Sequence, residues 1–281
     1  MILAEESYRF YNQAEPDRRR LQEAGWRPEY GAVLGALRYC RPTAEGRALD
    51  FGCGVGDLVA LLDRTGYAAL GADISLPAVQ SAVQRYPHLS FVALDSGPQL
   101  PFPSGHFSVV TAVNAIEFVV APAATLQELA RLLAPEGLLV MTFPNLLSPQ
   151  RPMRRFLARR RRRKYGAESG DTSWESVELV ARDLALLLTI RIRGEPRFWP
   201  REPDFANAER YRLLGYGPDY AASWLCNPLD VVLQLQQLGL TVEAVRKIPG
   251  AGERSLAMSR LRRLLPAGLA SPVLLVAGRP R

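Results

Sequence analysis

The chain is 281 residues long and 48 % hydrophobic, enough for one large domain with a full core or a domain carrying a sizeable insertion, and too much for a peptide-sized binding module. Three cysteines without CxxC or Cys/His spacing, and only two histidines, argue against a disulfide framework and a structural zinc site, so no metal is expected. The net charge of +7 is concentrated: nine Arg and Lys and no acid stand in "RPMRRFLARRRRRK", 151–164, and taking these nine from +7 leaves −2 for the rest.

The first residues, "MILAEESYRF", carry acids where a secretory leader carries basic residues, and nowhere do eighteen apolar residues run on uninterrupted; the expectation is a cytoplasmic protein without membrane spans. "PDRRRLQEAGW" and "RPEYGAVLGALRY" read as helices able to cover the C-terminal edges of the strands that follow. From about 47 to 143, the short apolar runs "RALDF", "YAALGAD", "LSFVAL", "FSVVTAV" and "GLLVMTF" alternate with the helical stretches "GDLVALLDRTG", "LPAVQSAVQRY" and "PAATLQELARLLAPEG". Continuous apolar strands of this kind are buried on both faces of a parallel sheet, which predicts a doubly wound α/β fold. The helix "NPLDVVLQLQQLG" and the strands "LTVEAVRKI" and "SPVLLVAGRP" come only after an interruption of some eighty residues.

That interruption sets the expected organisation: a helical cap at 1–45, a cofactor-binding domain at 46–145 and 227–281, and an inserted, mainly helical lid at 146–226 that is first basic and then aromatic. Within the insertion, "TSWESVELVARDLALLL" opens with a Thr172/Glu175 capping box and keeps apolar residues at helical spacing. Seven aromatics fall between Phe198 and Trp224, a density that suits either the wall of a substrate pocket above the strand ends or the packing of a small subdomain.

The most informative stretch is "DFGCGVGDL", 50–58, which ends the first strand with an acid and follows it with Gly52, Gly54 and Gly56. A strand, a glycine turn and a helix present bare backbone and a helix N-terminus to a cofactor. In the dinucleotide fingerprint the third glycine comes three places after the second; here that place is Asp57. Asp50 would repel a pyrophosphate and attract an ammonium group, so the loop suits a phosphate-free, cationic ligand. The second strand ends at Asp73, where a carboxylate accepts both ribose hydroxyls. The third ends at Asp95, placed to accept from the exocyclic amine of an adenine, with Ser96 or Gly97 backbone beside it.

With these motifs the chain resembles the class I S-adenosylmethionine-dependent methyltransferases, in particular the quinone-biosynthesis and small-molecule group. "LDFGCGVGDL", "GADIS", "ALDSGPQLPFPSGHFSVV" and "ELARLLAPEGLLVMTFPN" are similar to that family's successive motifs, over about 45–145 and again 227–281. The resemblance implies a Rossmann-like seven-stranded sheet with an antiparallel last strand, S-adenosylmethionine as cofactor and S-adenosylhomocysteine as product. It places the methionine part at Asp50 and Gly52, the ribose at Asp73 and the adenine at Asp95; Gly54, Gly56, Ile74, Ser96 and Asn114 complete the expected cofactor set. Two departures stand out: Ser108 replaces an acid in "FSVV", and "AIEFV" keeps Glu117 but has Phe118 where the family often has histidine.

Methyl transfer from a sulfonium relies on positioning and needs a base only if the nucleophile must lose a proton. The candidate catalytic residues are Glu117, just past the fourth strand, and Tyr11, which with Tyr8 is able to close over the cofactor from the N-terminal segment. His88 and His106 precede their strands and so belong at the opposite end of the sheet. Asn114 and Asn145 each read either as pocket lining or as partners of local backbone. The expected acceptor is a small or lipid-linked molecule methylated at oxygen. The basic arm at 151–164 suits an anionic membrane surface, keeps RNA methylation as an alternative, and equally suits a solvated helix face; a non-catalytic binding protein on the same fold is the reading from another class.

Overall fold

The structure, a computed structural model, describes residues 2–13, 27–40, 46–97, 99–148, 173–203, 222–248 and 271–280, without the side chains of 2–4, 173–180 and 187. The expected helix at 16–26, the Thr172/Glu175 capping box, the aromatics between 205 and 220 and the basic arm at 151–164 lie outside the described residues or side chains.

Two helices, α1 (Ile2–Gln13) and α2 (Pro28–Cys40), precede an alternating series: β1 (Arg47–Phe51), α3 (Asp57–Arg64), β2 (Ala68–Asp73), α4 (Leu76–Arg85), β3 (Ser90–Ala93) and β4 (Phe107–Val113). A 3-10 turn (Ile116–Phe118), α5 (Pro122–Leu132) and β5 (Leu133–Phe143) follow, then α6 (Ser173–Arg193), α7 (Pro228–Gln237), β6 (Thr241–Lys247) and β7 (Val273–Gly278). The seven strands form one sheet in the order β3-β2-β1-β4-β5-β7-β6. β1 to β5 pair in parallel, and β7 runs antiparallel to both β5 and β6. The expected Rossmann-like α/β sheet with its antiparallel last strand is the sheet observed.

Alternation along the strands explains why they read as continuous apolar runs. Ala48, Val109, Val140 and Val276 point to one face, which α2 and α3 cover with Tyr30, Val33, Leu37, Leu58 and Leu62. Their neighbours Leu49, Val110, Met141 and Leu275 point to the other, where α5 and α7 supply Leu126, Leu129, Val231 and Leu235. Both faces are buried, so no polar alternation survives in the sequence.

Two expectations need correction. The helix read through Gly137 ends at Leu132, and β5 starts at once at Leu133, which pairs with Phe107 before the register shifts to Val109 opposite Leu138. Glu136, at φ +59°, absorbs the extra residues of this bulge, so the apolar "LL" belongs to a helix end and a strand start together. α2 packs its stripe of Tyr30, Val33 and Leu37 on a face of the sheet, and of the two described N-terminal helices α1 is the one that reaches the C-terminal strand edge.

Within 146–226, Phe198 to Arg201 and Ser223 to Leu225 run antiparallel: Arg201 N donates to Ser223 O and Leu225 N to Trp199 O, both at 2.9 Å. Trp224, 1 % exposed, is part of the main core and packs edge-on against Phe198. Asp230 ties the preceding loop to the start of α7, accepting from Arg197 N and Phe198 N and from the Asn227 side chain. Trp224 and Phe198 are thus core packing.

Candidate functional site

Because β1 to β4 are parallel, the turns that follow them open on one edge of the sheet, and chain order reverses between β2-β1 and β4, the place where α/β sheets bind ligands. Asp50 sits one residue from the end of β1, opposite Gly71 of β2 and Thr111 of β4. It is 2 % exposed and accepts a 2.7 Å hydrogen bond from Thr111 Oγ1. Burial pushes its carboxyl up to about 7; the Thr111 hydroxyl opposes this and the charge of Asp73 adds to it.

The glycine turn is held by β2. Gly52 N and Cys53 N both donate to Ala72 O, and Gly54 N donates to Asp73 Oδ2 at 2.8 Å. All three glycines have positive φ, but they differ in surroundings. A Cβ at Gly52 would lie 2.4 Å from the Cβ of Ala115, and one at Gly56 2.7 Å from the ring of Phe91. At Gly54 it would meet nothing within 4 Å. Gly52 and Gly56 are therefore bare so that the turn can pack, whereas Gly54, its N–H held by Asp73, has open space where a side chain would stand. The residue in the fingerprint's third-glycine place, Asp57, opens α3 and is claimed by α4: Tyr86 Oη donates to it at 2.8 Å and Arg85 lies 3.5 Å away.

Asp73 organises the next turn. Its Oδ1 accepts from Ser75 N at 2.8 Å while Oδ2 takes Gly54 N, which locks the carboxylate between the two loops. Helix α1 closes on this turn: Asn12 Nδ2 donates to Ile74 O, Leu76 N donates to Asn12 Oδ1, and Ser75 Oγ donates to Tyr11 O. From there the Tyr11 ring reaches Phe118 in an edge-on contact at 6.3 Å between centroids. So α1 brings Tyr11 and the Glu117–Phe118 turn together, and the place the family often gives to histidine is an aromatic contact. Tyr8 on the same helix is 39 % exposed.

The turn after β4 is built on Asn114, at φ +50°, whose N–H donates to Thr142 O. Residues 223 and 224 fix the following 3-10 turn through three hydrogen bonds: Ser223 N to Glu117 O, Ser223 Oγ to Phe118 O, and Trp224 Nε1 to Ile116 O. Glu117 is 1 % exposed and lies near enough to Cys226 to raise that thiol, after burial, well above its ordinary value. Burial does the same to Cys53, so both buried cysteines stay protonated and unreactive.

Of the remaining sequence candidates, Asp95 and Ser96 are exposed beyond β3, where Asp95 Oδ1 accepts from Gly97 N. Asn145 is fully buried and accepts from Leu147 N through Oδ1, so it serves local backbone. Ser108 donates to Arg47 O on the neighbouring strand β1, at a position where the family often has an acid. His88 is exposed and His106 packs on Phe107, both before their strands. Asn12, Thr111 and Trp224 belong to the site's frame and were missed by sequence reading; their partners lie 62, 61 and 108 residues away, so no local spacing marks them.

Residues 49–141, which hold this crevice, match the family model described as a methyltransferase domain. The chain carries a class I methyltransferase domain. The domain is 36 % identical over 110 residues to a ubiquinone biosynthesis O-methyltransferase of Psychrobacter arcticus, covering 35 % of this chain and 41 % of that one. It is 34 % identical over 123 residues to a demethylmenaquinone methyltransferase of Tropheryma whipplei, covering 43 % and 48 %. The chain thus spans less than half the length of these curated relatives. In fold it is similar to magnesium protoporphyrin IX methyltransferase from Synechocystis, solved with bound S-adenosylmethionine, at a TM-score of 0.54 and 15 % identity over 99 % of this chain and 97 % of that one. The residues of the methyltransferase domain suit S-adenosylmethionine: the open space beside Gly54 admits a ligand, and the Asp50 and Asp73 carboxylates match an ammonium group and a ribose.

Proposed function

We propose that this protein methylates a small or lipid-linked acceptor, at oxygen, using S-adenosylmethionine. The observation that carries the proposal is Gly54, bonded to Asp73 and with open space where a side chain would stand, in the glycine turn that follows β1 at the switch point of the sheet. The relatives named for ubiquinone and demethylmenaquinone methylation support an acceptor of the quinone kind.

In this reading Asp50 receives the cofactor's ammonium, the Gly52–Gly56 backbone its methionine part, Asp73 and Ile74 the ribose, Asp95 and Ser96 the adenine, and Asn114 borders the methyl-donor end. Bound there, S-adenosylmethionine supplies a methyl group on a positively charged sulfur that an in-line nucleophile can displace. The chain supplies position and dryness. Asn12 latches α1 onto the ribose turn, and Tyr11 packed on Phe118 covers the crevice and excludes water. Glu117, fixed by Ser223 and Trp224, holds the proton of the acceptor hydroxyl, and Tyr11 orients the acceptor. The region 146–226 forms the acceptor side as a lid, and the arm at 151–164 makes peripheral contact with anionic membrane through its nine cations.

The test is release of S-adenosylhomocysteine, with label transfer from methyl-labelled cofactor, on a panel of hydroxylated quinone precursors, lipid extracts and total RNA. Label in a lipid or phenolic fraction is expected, with turnover falling at least about tenfold in Glu117→Gln at unchanged cofactor affinity. Label confined to RNA would replace this reading with an RNA methyltransferase, and no transfer despite cofactor binding would leave a non-catalytic binding protein.

A further inference from the structure

Among its described side chains, helix α6 has two apolar faces over 181–193, one packed and one exposed. Leu186 and Ile190 turn inward against Leu147, Trp199, Leu225, Leu229 and Leu233, with Asp183 on the same side. At about 100° per residue, Leu184, Leu188 and Ile192 line up on the opposite side together with Ala181 and Ala185. Leu184 is 44 %, Leu188 57 % and Ile192 75 % exposed. A helix that only seals a core carries polar residues there. The exposed residues of 181–193 are instead alanine, leucine, isoleucine and Arg182, Arg191 and Arg193. The one acid in this stretch, Asp183, is 3 % exposed and paired with Arg182 at 2.7 Å.

We infer that the outer face of α6 is the apolar half of a docking surface for anionic lipid. Three aliphatic side chains framed by arginines fit the boundary between headgroups and acyl chains, where apolar burial and attraction to anionic lipid act together. The nine cations of 151–164 are followed by eight residues, 165–172, before the helix begins at Ser173, so the same stretch of sequence carries a long-range attraction as well as this short-range anchor. A second copy of the chain fits less well, because it brings the same net charge of +7 and the same arginines to a face where the described side chains of 181–193 expose no acid. RNA offers anions but no apolar phase for Leu184, Leu188 and Ile192. The inference rests on the peripheral-membrane part of the proposed function and assigns it to particular side chains.

The test is sedimentation of the full chain with vesicles of phosphatidylcholine, with and without phosphatidylglycerol. Wild type is expected to bind only the anionic vesicles, and L184Q/L188Q/I192Q to lose about tenfold or more in partitioning, since the buried apolar area is what these changes remove. Thermal unfolding of that variant should match wild type, and the milder L188A/I192A should lose about threefold by the same reasoning. If the triple variant binds like wild type while glutamine at 159–163 abolishes binding, the α6 face is refuted and the arm alone makes the contact. A wild-type dimer dissolved by the triple variant, with vesicle binding intact, would assign the face to a second copy and refute the inference. Wild type that ignores anionic vesicles would overturn both this inference and the membrane part of the proposed function.

Discussion

Replacing Asp73 with alanine separates the structural from the ligand-binding work of one carboxylate. Gly54 N and Ser75 N each donate to this carboxylate at 2.8 Å, and ribose hydroxyls bound there would add charge-assisted hydrogen bonds to it. Charge-assisted hydrogen bonds are worth about 1.5–3 kcal/mol each, but water re-enters this half-buried turn, so the affinity for S-adenosylhomocysteine should fall by roughly 2–3 kcal/mol, about 30- to 150-fold. The fold itself loses two backbone bonds that water can partly replace, a cost of about 1–2 kcal/mol, which calls for a modest shift of the urea midpoint and an unchanged slope. Asp73→Asn sharpens the comparison. Its amide can accept from one of the two N–H groups but must turn an NH2 toward the other, so it should loosen the glycine turn while keeping the side chain's size. Calorimetric titration with S-adenosylhomocysteine, run beside the urea curves, gives both numbers. Unchanged affinity in a folded Asp73→Ala variant would refute the placing of the ribose.

Gly54→Val should abolish cofactor binding with circular dichroism intact, because its Cβ meets no protein atom and the φ of +54° costs only about 1–2 kcal/mol; retained binding would put the ligand elsewhere. With the Asp50 carboxyl pushed to about 7 in the ligand-free protein, the stability tied to its protonated form is full below about pH 4 and is lost as pH rises through 7. An ammonium ligand needs the ionised form, so S-adenosylhomocysteine affinity should weaken about tenfold from pH 8 to pH 6, and Asp50→Asn should flatten that dependence; a profile unchanged by Asp50→Asn would remove Asp50 from the ligand. Trp224→Phe leaves the carbonyl of Ile116 without its 2.9 Å donor, so it should destabilise by about 1–3 kcal/mol and lower turnover more than cofactor affinity; equal losses in both would mean that the turn does not position Glu117.

What was legible in the sequence was whatever the chain encodes locally. β1 and β4 were read to their ends because each apolar run stops at a turn signal, and the acids at 50, 73 and 95 were readable as a series because parallel strands put every C-terminal end on one edge. β5 was read four residues late because Leu132 and Leu133 look alike to helical periodicity, and only pairing with Phe107 turns the second into a strand. The distinction between Gly54 and its two neighbours was invisible, since it depends on Ala115 and Phe91 approaching from other loops. The same limit applied to Asn12, Thr111 and Trp224, whose hydrogen bonds cross more than sixty residues of chain. α6 read as an ordinary amphipathic helix because periodicity reports an apolar stripe without saying how many partners it has.

The central claim is that the crevice between Asp50 and Asp73 takes S-adenosylmethionine, and calorimetric titration of the wild-type protein with S-adenosylhomocysteine and, in parallel, with a nicotinamide dinucleotide tests it most directly. The account predicts saturable one-to-one binding of S-adenosylhomocysteine and no heat from the dinucleotide, whose pyrophosphate would face the Asp50 carboxylate at the end of β1. Binding of the dinucleotide with none of S-adenosylhomocysteine would contradict it.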